Sequence, residues 1–171
     1  MSDLLILVNA QDREIGQAEK LEAHRLGLLH RAFSVFVCRD NEILLQKRHA
    51  AKYHSGGLWS NTCCGHPKPG ETTKSAAERR LFEEIGLKLV LQEIGVFHYR
   101  AKLNDLTENE IDHVFVGRYA GENFKPDPHE IAETAWVDAH QALHDCQQNP
   151  EHYTVWFAPA LQVLLKENLN R

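Results

Sequence analysis

A chain of 171 residues has room for one hydrophobic core with a cleft, because at this size about 70% of the unfolded surface can be buried. Its 24 acidic and 19 basic residues leave a net charge of −5. That balance argues against a general nucleic-acid or anionic-membrane binder and requires any anionic substrate to be held by a local basic cluster.

No apolar run approaches the ~20 residues of a membrane span, and LLILV at residues 4–8 lacks the basic flank and cleavage site of a signal peptide. A cytoplasmic protein without membrane contact is the expectation. Four cysteines, Cys38, Cys63, Cys64 and Cys146, are too few and too unevenly spaced for a secreted disulfide scaffold, so reduced thiols are expected. Eleven histidines invite a metal reading that most of them do not need. His140 and His144 have helical i,i+4 spacing among acidic neighbours, and they read as a solvated helix face.

In chain order, residues 4–10 (LLILVNA) and 31–37 (RAFSVFV) read as strands. The second is followed by the turn RDNE and by ILLQKRH at 43–49, which together predict a hairpin. Residues 50–70 read as a long loop rich in glycine and proline, a feature that in compact domains tends to carry function. A helix is predicted over residues 72–85, with Ala77, Leu81 and Ile85 on one stripe and Gly86 as its stop. IGVFHYRAKL (94–103) and ENEIDHVFVGRY (108–119) flank the turn signal NDLT and predict an antiparallel pair, with AETAWVD (132–138) a further strand. The segment 155–169 starts Val-Trp-Phe and continues as an amphipathic helix. No repeat or linker divides the chain, which predicts a single unit over 1–171 of class α/β (α+β).

From Gly65 to Leu87 the chain reads G-HPKPG-E-TTKSAAE-RRLFEEIGL. This resembles the Nudix signature over its whole length, which implies a mixed sheet sandwiched between helices. Carboxylates on one helical turn give oxygen ligands for Mg²⁺, which neutralises diphosphate oxygens. One position departs from the pattern: Arg80 stands where Nudix hydrolases place a glutamate. A guanidinium cannot collect metal or activate water, but it can contact phosphate bidentately.

Further segments extend the resemblance: LVNAQDREIGQAEKLEAH (7–24), WSNTCCGHP (59–67), ENE (108–110) and VWFAP (155–159). With the modified helix, they are similar to the type I isopentenyl diphosphate isomerases, in order along nearly the whole chain. That resemblance implies an isomerase of isoprenoid biosynthesis that interconverts isopentenyl and dimethylallyl diphosphate. It implies Cys64 and Glu110 as proton-transfer partners, Tyr99 as a hydrogen-bond partner near the carboxylate, and Trp156 as a π face for a transient cation.

The same resemblance implies a metal site of His24, His30, His66, Glu108 and Glu110 that takes Mn²⁺ or Zn²⁺. Glu108 and Glu110, two apart on a strand, face one side. It further implies Lys20, Arg48, Lys52 and Arg80 as diphosphate contacts, and Glu84 as ligand to a Mg²⁺ bound with substrate. Cys63 is expected to be a packed neighbour, and the protein a monomer or weak homodimer. A Nudix hydrolase of a nucleoside or other diphosphate is the alternative, and a non-catalytic diphosphate or metal-binding module is a third reading.

Overall fold

The chain begins with a ribbon, β1 (Leu4–Val8) and β2 (Glu14–Glu19), followed by helix α1 (Lys20–Leu26), β3 (His30–Arg39) and β4 (Glu42–Arg48). Two short strands, β5 (Trp59–Ser60) and β6 (Cys63–Gly65), precede α2 (Thr73–Ile85). The hairpin β7 (Gln92–Leu103) and β8 (Leu106–Arg118), then β9 (Ile131–Asp138), α3 (Ala139–Gln148) and α4 (Phe157–Leu169), complete the order. This computed structural model describes residues 3–169, and the two ends of the unit expected over 1–171 lie outside the described residues.

The strands join into one mixed sheet organised on β3. β3 runs parallel to β8 from His30↔Glu110 to Cys38↔Arg118, antiparallel to β6, and turns tightly into β4, which carries β9 on its other edge. Apolar residues fill β3 almost continuously, the pattern of a strand covered on both faces. Phe33, Val35 and Val37 pack with Ala77, Leu81 and Ile85 of α2. Phe36, of opposite parity, packs with Ala142 of α3 and with Phe157 and Leu161 of α4. The sheet thus lies between helices, as the Nudix-like pattern implies.

Helix α2 is specified locally at both ends. The Thr72 side chain accepts a hydrogen bond from Ser75 N, and Gly86, at φ 80°, closes the helix with its N–H on Phe82 O, a left-handed cap that favours glycine. A Cβ at Gly86 would also meet Lys125 N at 3.1 Å. Asp40 and Asn104 take positive φ in the tight turns of the two hairpins, as short polar side chains tolerate.

The long loop expected over 50–70 is interrupted by β5 and β6. Each is too short to show alternation in sequence, and each is held by pairing to a distant strand. No described helix is long and apolar enough to cross a membrane.

Candidate active site

Strand β6 separates the two adjacent cysteines, because successive side chains point to opposite faces. Cys63 is fully buried on the α2 side, where its thiol donates to Glu84 Oε2 at 2.9 Å; it is more than the packed neighbour expected. Cys64 turns the other way, opposite Ser34 of β3, into a cleft of about 290 Å³. Burial pushes its thiol up to about 12, against the pull of Arg48, whose Nη1 lies 3.8 Å from Sγ. The thiol therefore holds its proton at neutral pH.

Across the cleft, the register of β3, β8 and β7 sets His30 opposite Glu110 and Glu110 opposite Tyr99. Glu110 Oε1 accepts a short hydrogen bond from Tyr99 Oη, and its Oε2 faces His66 Nε2 at 3.0 Å and His30 Nε2 at 3.3 Å. Glu108, two residues earlier on the same face, has His54 Nε2 on Oε1 at 2.7 Å and His24 Nε2 at 3.5 Å from Oε2. Burial opposes charge on Glu110, but the hydrogen bond with His66 and the close His30 imidazole hold its carboxyl well below the usual range. Burial pushes His66 down to about 4, toward the neutral imidazole that ligates metal.

Two groups of potential ligands overlap here, His24–His30–His66 and His30–Glu108–Glu110, with the ligand atoms in each within 4.8 Å of one another. Their hydrogen bonding fits a metal. His24 Nδ1 is held by Tyr53 Oη at 2.7 Å and His30 Nδ1 by Leu28 O at 2.9 Å. The buried Nε2 atoms of both rings have no hydrogen-bond partner. Fixing one ring nitrogen and leaving the other free toward carboxylates is how metal-binding histidines are prepared, and the mixed N/O donor set suits a first-row divalent ion.

The same cleft is also lined by Lys20, Arg48, Lys52 and Arg80. Burial lowers the Lys20 pKa, and the positive charges of Lys52 and Arg48 add to the effect; an anion bound among them relieves that repulsion. Buried Arg48 Nε lacks a partner, a donor that a diphosphate oxygen can satisfy. Lys52 pairs with Glu130. Arg80 lies 2.8 Å from Glu83, 3.5 Å from Glu84 and 3.9 Å from Glu130. Burial raises the pKa of Glu84, against the pull of Arg80. Trp156 is fixed by its indole N–H on Asn61 Oδ1 at 3.1 Å and sits 6.4 Å from the Tyr99 ring.

Residues 28–157 match the NUDIX domain model. Over the full chain the protein is 45% identical to the isopentenyl-diphosphate Delta-isomerase of Serratia proteamaculans, covering 96% of that relative. It is 49% identical to the Burkholderia multivorans protein of the same description, over 92% of this chain and 90% of that one. The chain belongs to the isopentenyl-diphosphate Delta-isomerase family. Its isomerase fold is the Nudix fold: a Deinococcus radiodurans protein of known structure superposes with a TM-score of 0.77 over 93% of this chain and 97% of its own, at 18% identity.

The cleft of this isomerase-family chain gathers every site residue named from the sequence except His24 and His30 into its lining, and those two stand directly behind it against Glu108 and Glu110. Four participants carried no assignment from sequence: His54, Asp112 and Glu130 in the lining, and Tyr53 on His24. Asp112 was legible in principle, since it continues the i, i+2 alternation of Glu108 and Glu110. Its Oδ2 accepts from Ser34 Oγ at 2.9 Å, and burial, with the nearby charge of Glu110, keeps its carboxyl well above the usual range.

Proposed function

We propose that Cys64 and Glu110 are the proton-transfer pair by which this isomerase interconverts isopentenyl and dimethylallyl diphosphate. The observation that carries this reading is a single cleft lined by the Cys64 thiol, the Tyr99-bonded Glu110 carboxylate and four cations. The reaction adds a proton to the terminal alkene carbon and removes one from the carbon two positions away, leaving the skeleton and the diphosphate intact. Because it is reversible, each partner is the acid in one direction and the base in the other.

An alkene is a weak base, so the transfer needs excluded water and fixed electrostatics. Partial burial of Cys64 and Tyr99 supports both. The Trp156 face stabilises the tertiary cation by about 0.5–2 kcal/mol. Lys20, Arg48, Lys52 and Arg80 anchor the diphosphate and so orient the five-carbon chain toward Cys64.

His24, His30, His66, Glu108 and Glu110 would hold Mn²⁺ or Zn²⁺, a fixed positive charge that tunes the acidity of the Glu110 carboxyl, and Glu84 would hold Mg²⁺ against the diphosphate. Arg80 in place of a glutamate supports isomerisation over hydrolysis. The reduced thiol that the chemistry needs supports a cytoplasmic protein that acts on a small diphosphate as a monomer or weak homodimer.

The test is incubation with isopentenyl diphosphate, Mg²⁺ and Mn²⁺ in D₂O, followed by NMR. Deuterium uptake with formation of dimethylallyl diphosphate, and no phosphate release, is expected. Metal-supplemented protein that exchanges no deuterium overturns the reading, and phosphate release from a nucleotide panel replaces it with hydrolysis.

A further inference from the structure

The two carboxylates of the cleft are bound in the same divided way. Glu110 has one oxygen, Oε1, held by Tyr99 and the other turned to His30 and His66. Glu108 has Oε1 held by His54 Nε2 at 2.7 Å and Oε2 turned to His24, with only a long contact of 3.5 Å from Tyr99 Oη on that second oxygen. In each, a neutral side chain can occupy one oxygen and leave the second for a cation. Tyr99 belongs to the paired strand beside Glu110; His54 comes from outside the sheet, on the loop between β4 and β5.

That loop is built to deliver it. Its base is closed by Arg48 N on Leu58 O at 2.8 Å and Gly57 N on Arg48 O at 3.0 Å. Ser55 and Gly57 take positive φ, and Gly56 packs so tightly that a Cβ would lie 2.5 Å from Ala50 O. Arg48 Nη2 donates to the His54 carbonyl at 3.2 Å, and the His54 ring stands edge-on to Trp156 at 5.8 Å. The preceding residue reaches the same half of the site: Tyr53 Oη meets His24 Nδ1 at 2.7 Å.

We infer that His54, assisted by Tyr53, is a positioning residue for the His24–Glu108 half of the metal centre, holding Glu108 so that one oxygen alone is presented to the ion. The inference rests on the metal site proposed above. A carboxylate with both oxygens loose can rotate or close bidentately on an ion. With Oε1 bound by an imidazole N–H, the remaining oxygen and His24 Nε2 are aimed together. Outer partners of this kind alter metal affinity by about 10- to 100-fold.

Mn²⁺ alone, without substrate, is titrated into the full chain, and free ion is read by its EPR signal. His54→Leu, which keeps bulk against Trp156 and removes the donor, is expected to bind Mn²⁺ about 10- to 100-fold more weakly. His54→Gln, which restores an N–H donor, is expected to recover most of that loss, and Tyr53→Phe to fall between them.

A purely packing role for His54 predicts that Leu binds as well as Gln, and that result overturns the inference. So does wild-type affinity in His54→Leu while His24→Ala abolishes binding, an outcome that leaves the metal site standing. Failure of the unsubstituted protein to bind Mn²⁺, or wild-type binding in His24→Ala, removes the metal site and the inference with it. Should His54→Leu not fold, the comparison of His54→Gln and Tyr53→Phe with the unsubstituted protein decides, and equal affinity in Tyr53→Phe counts against the pair.

Discussion

At Cys63 and Cys64, one residue of strand separates two chemistries. Cys64 meets the cleft and the Arg48 guanidinium, whereas Cys63 is sealed on the α2 face with its thiol on Glu84. Proton transfer by a positioned group contributes about 10²–10⁴-fold, so Cys64→Ala is expected to reduce the isomerisation rate by at least that range in a steady-state assay. Cys63→Ala is expected to keep most of the rate but to raise the Mg²⁺ concentration giving half-maximal activity, because Glu84 loses the donor that orients it. Equal losses at the two positions would end the assignment.

The motif pointed to Cys64 of this pair, but the thiol–carboxylate bond of Cys63 was not legible in it, since it joins residues 21 apart. His54 illustrates the same limit. Its partner Glu108 lies far along the chain, and no spacing connects them. Asp112 differs, because strand alternation alone would have placed it beside Glu110.

Among the elements, α2 joins the fold to the site: its buried stripe sits on β3 and β6, and its last turns carry Arg80 and Glu84. The Thr72 cap is exposed and remote from the chemistry. Thr72→Ala is therefore expected to cost about 1 kcal/mol, seen as a fall of roughly 2–4 °C in the thermal midpoint with kcat unchanged. A larger fall together with lost activity would mean that the cap also shapes the cleft.

The helix and the β7–β8 hairpin were readable because each has a long period and a local stop signal, Gly86 in one case and the Asn104–Asp105 turn in the other. Strands β5 and β6 were not. Trp59–Ser60 and Cys63–Gly65 owe their conformation to β4 and β3, and tertiary pairing of two or three residues leaves no periodic trace. The polar stretch at β2 and α1 likewise takes its shape from packing Ala18 and Ala23 against Leu5.

Across the whole molecule, the residues of the proposed metal site come from α1, β3, the segment after β6, and β8, so metal binding there would act on the stability of the entire fold. At a hundredfold excess over Kd, Mn²⁺ is expected to stabilise by about 2.7 kcal/mol, which is roughly 5–10 °C in the midpoint for a chain of this size. The pH dependence of the metal-free protein follows from His66, Glu110 and His30. In the metal-free protein, His66 is lowered to about 4 by burial, while in the unfolded chain it titrates near 6.5. Between those values the unfolded state binds a proton that the folded state rejects, so stability falls as pH drops from about 6.5 to about 4.

Glu110, held low by its histidine partners, continues the fall at lower pH. Its contribution is present above the ordinary carboxylate value and is lost as pH drops through the folded one. His30 runs the other way. Burial opposes its charge, but Glu110 raises it, so its contribution is full below about 6.5 and is lost as pH rises through its higher folded value. A bound ion requires all three rings neutral, which makes metal affinity itself fall with acid. The difference in melting temperature between Mn²⁺-loaded and chelated protein is therefore expected to be large at pH 7.5 and to close toward pH 5. A difference that stays constant over that range would show that His30 does not ligate the ion.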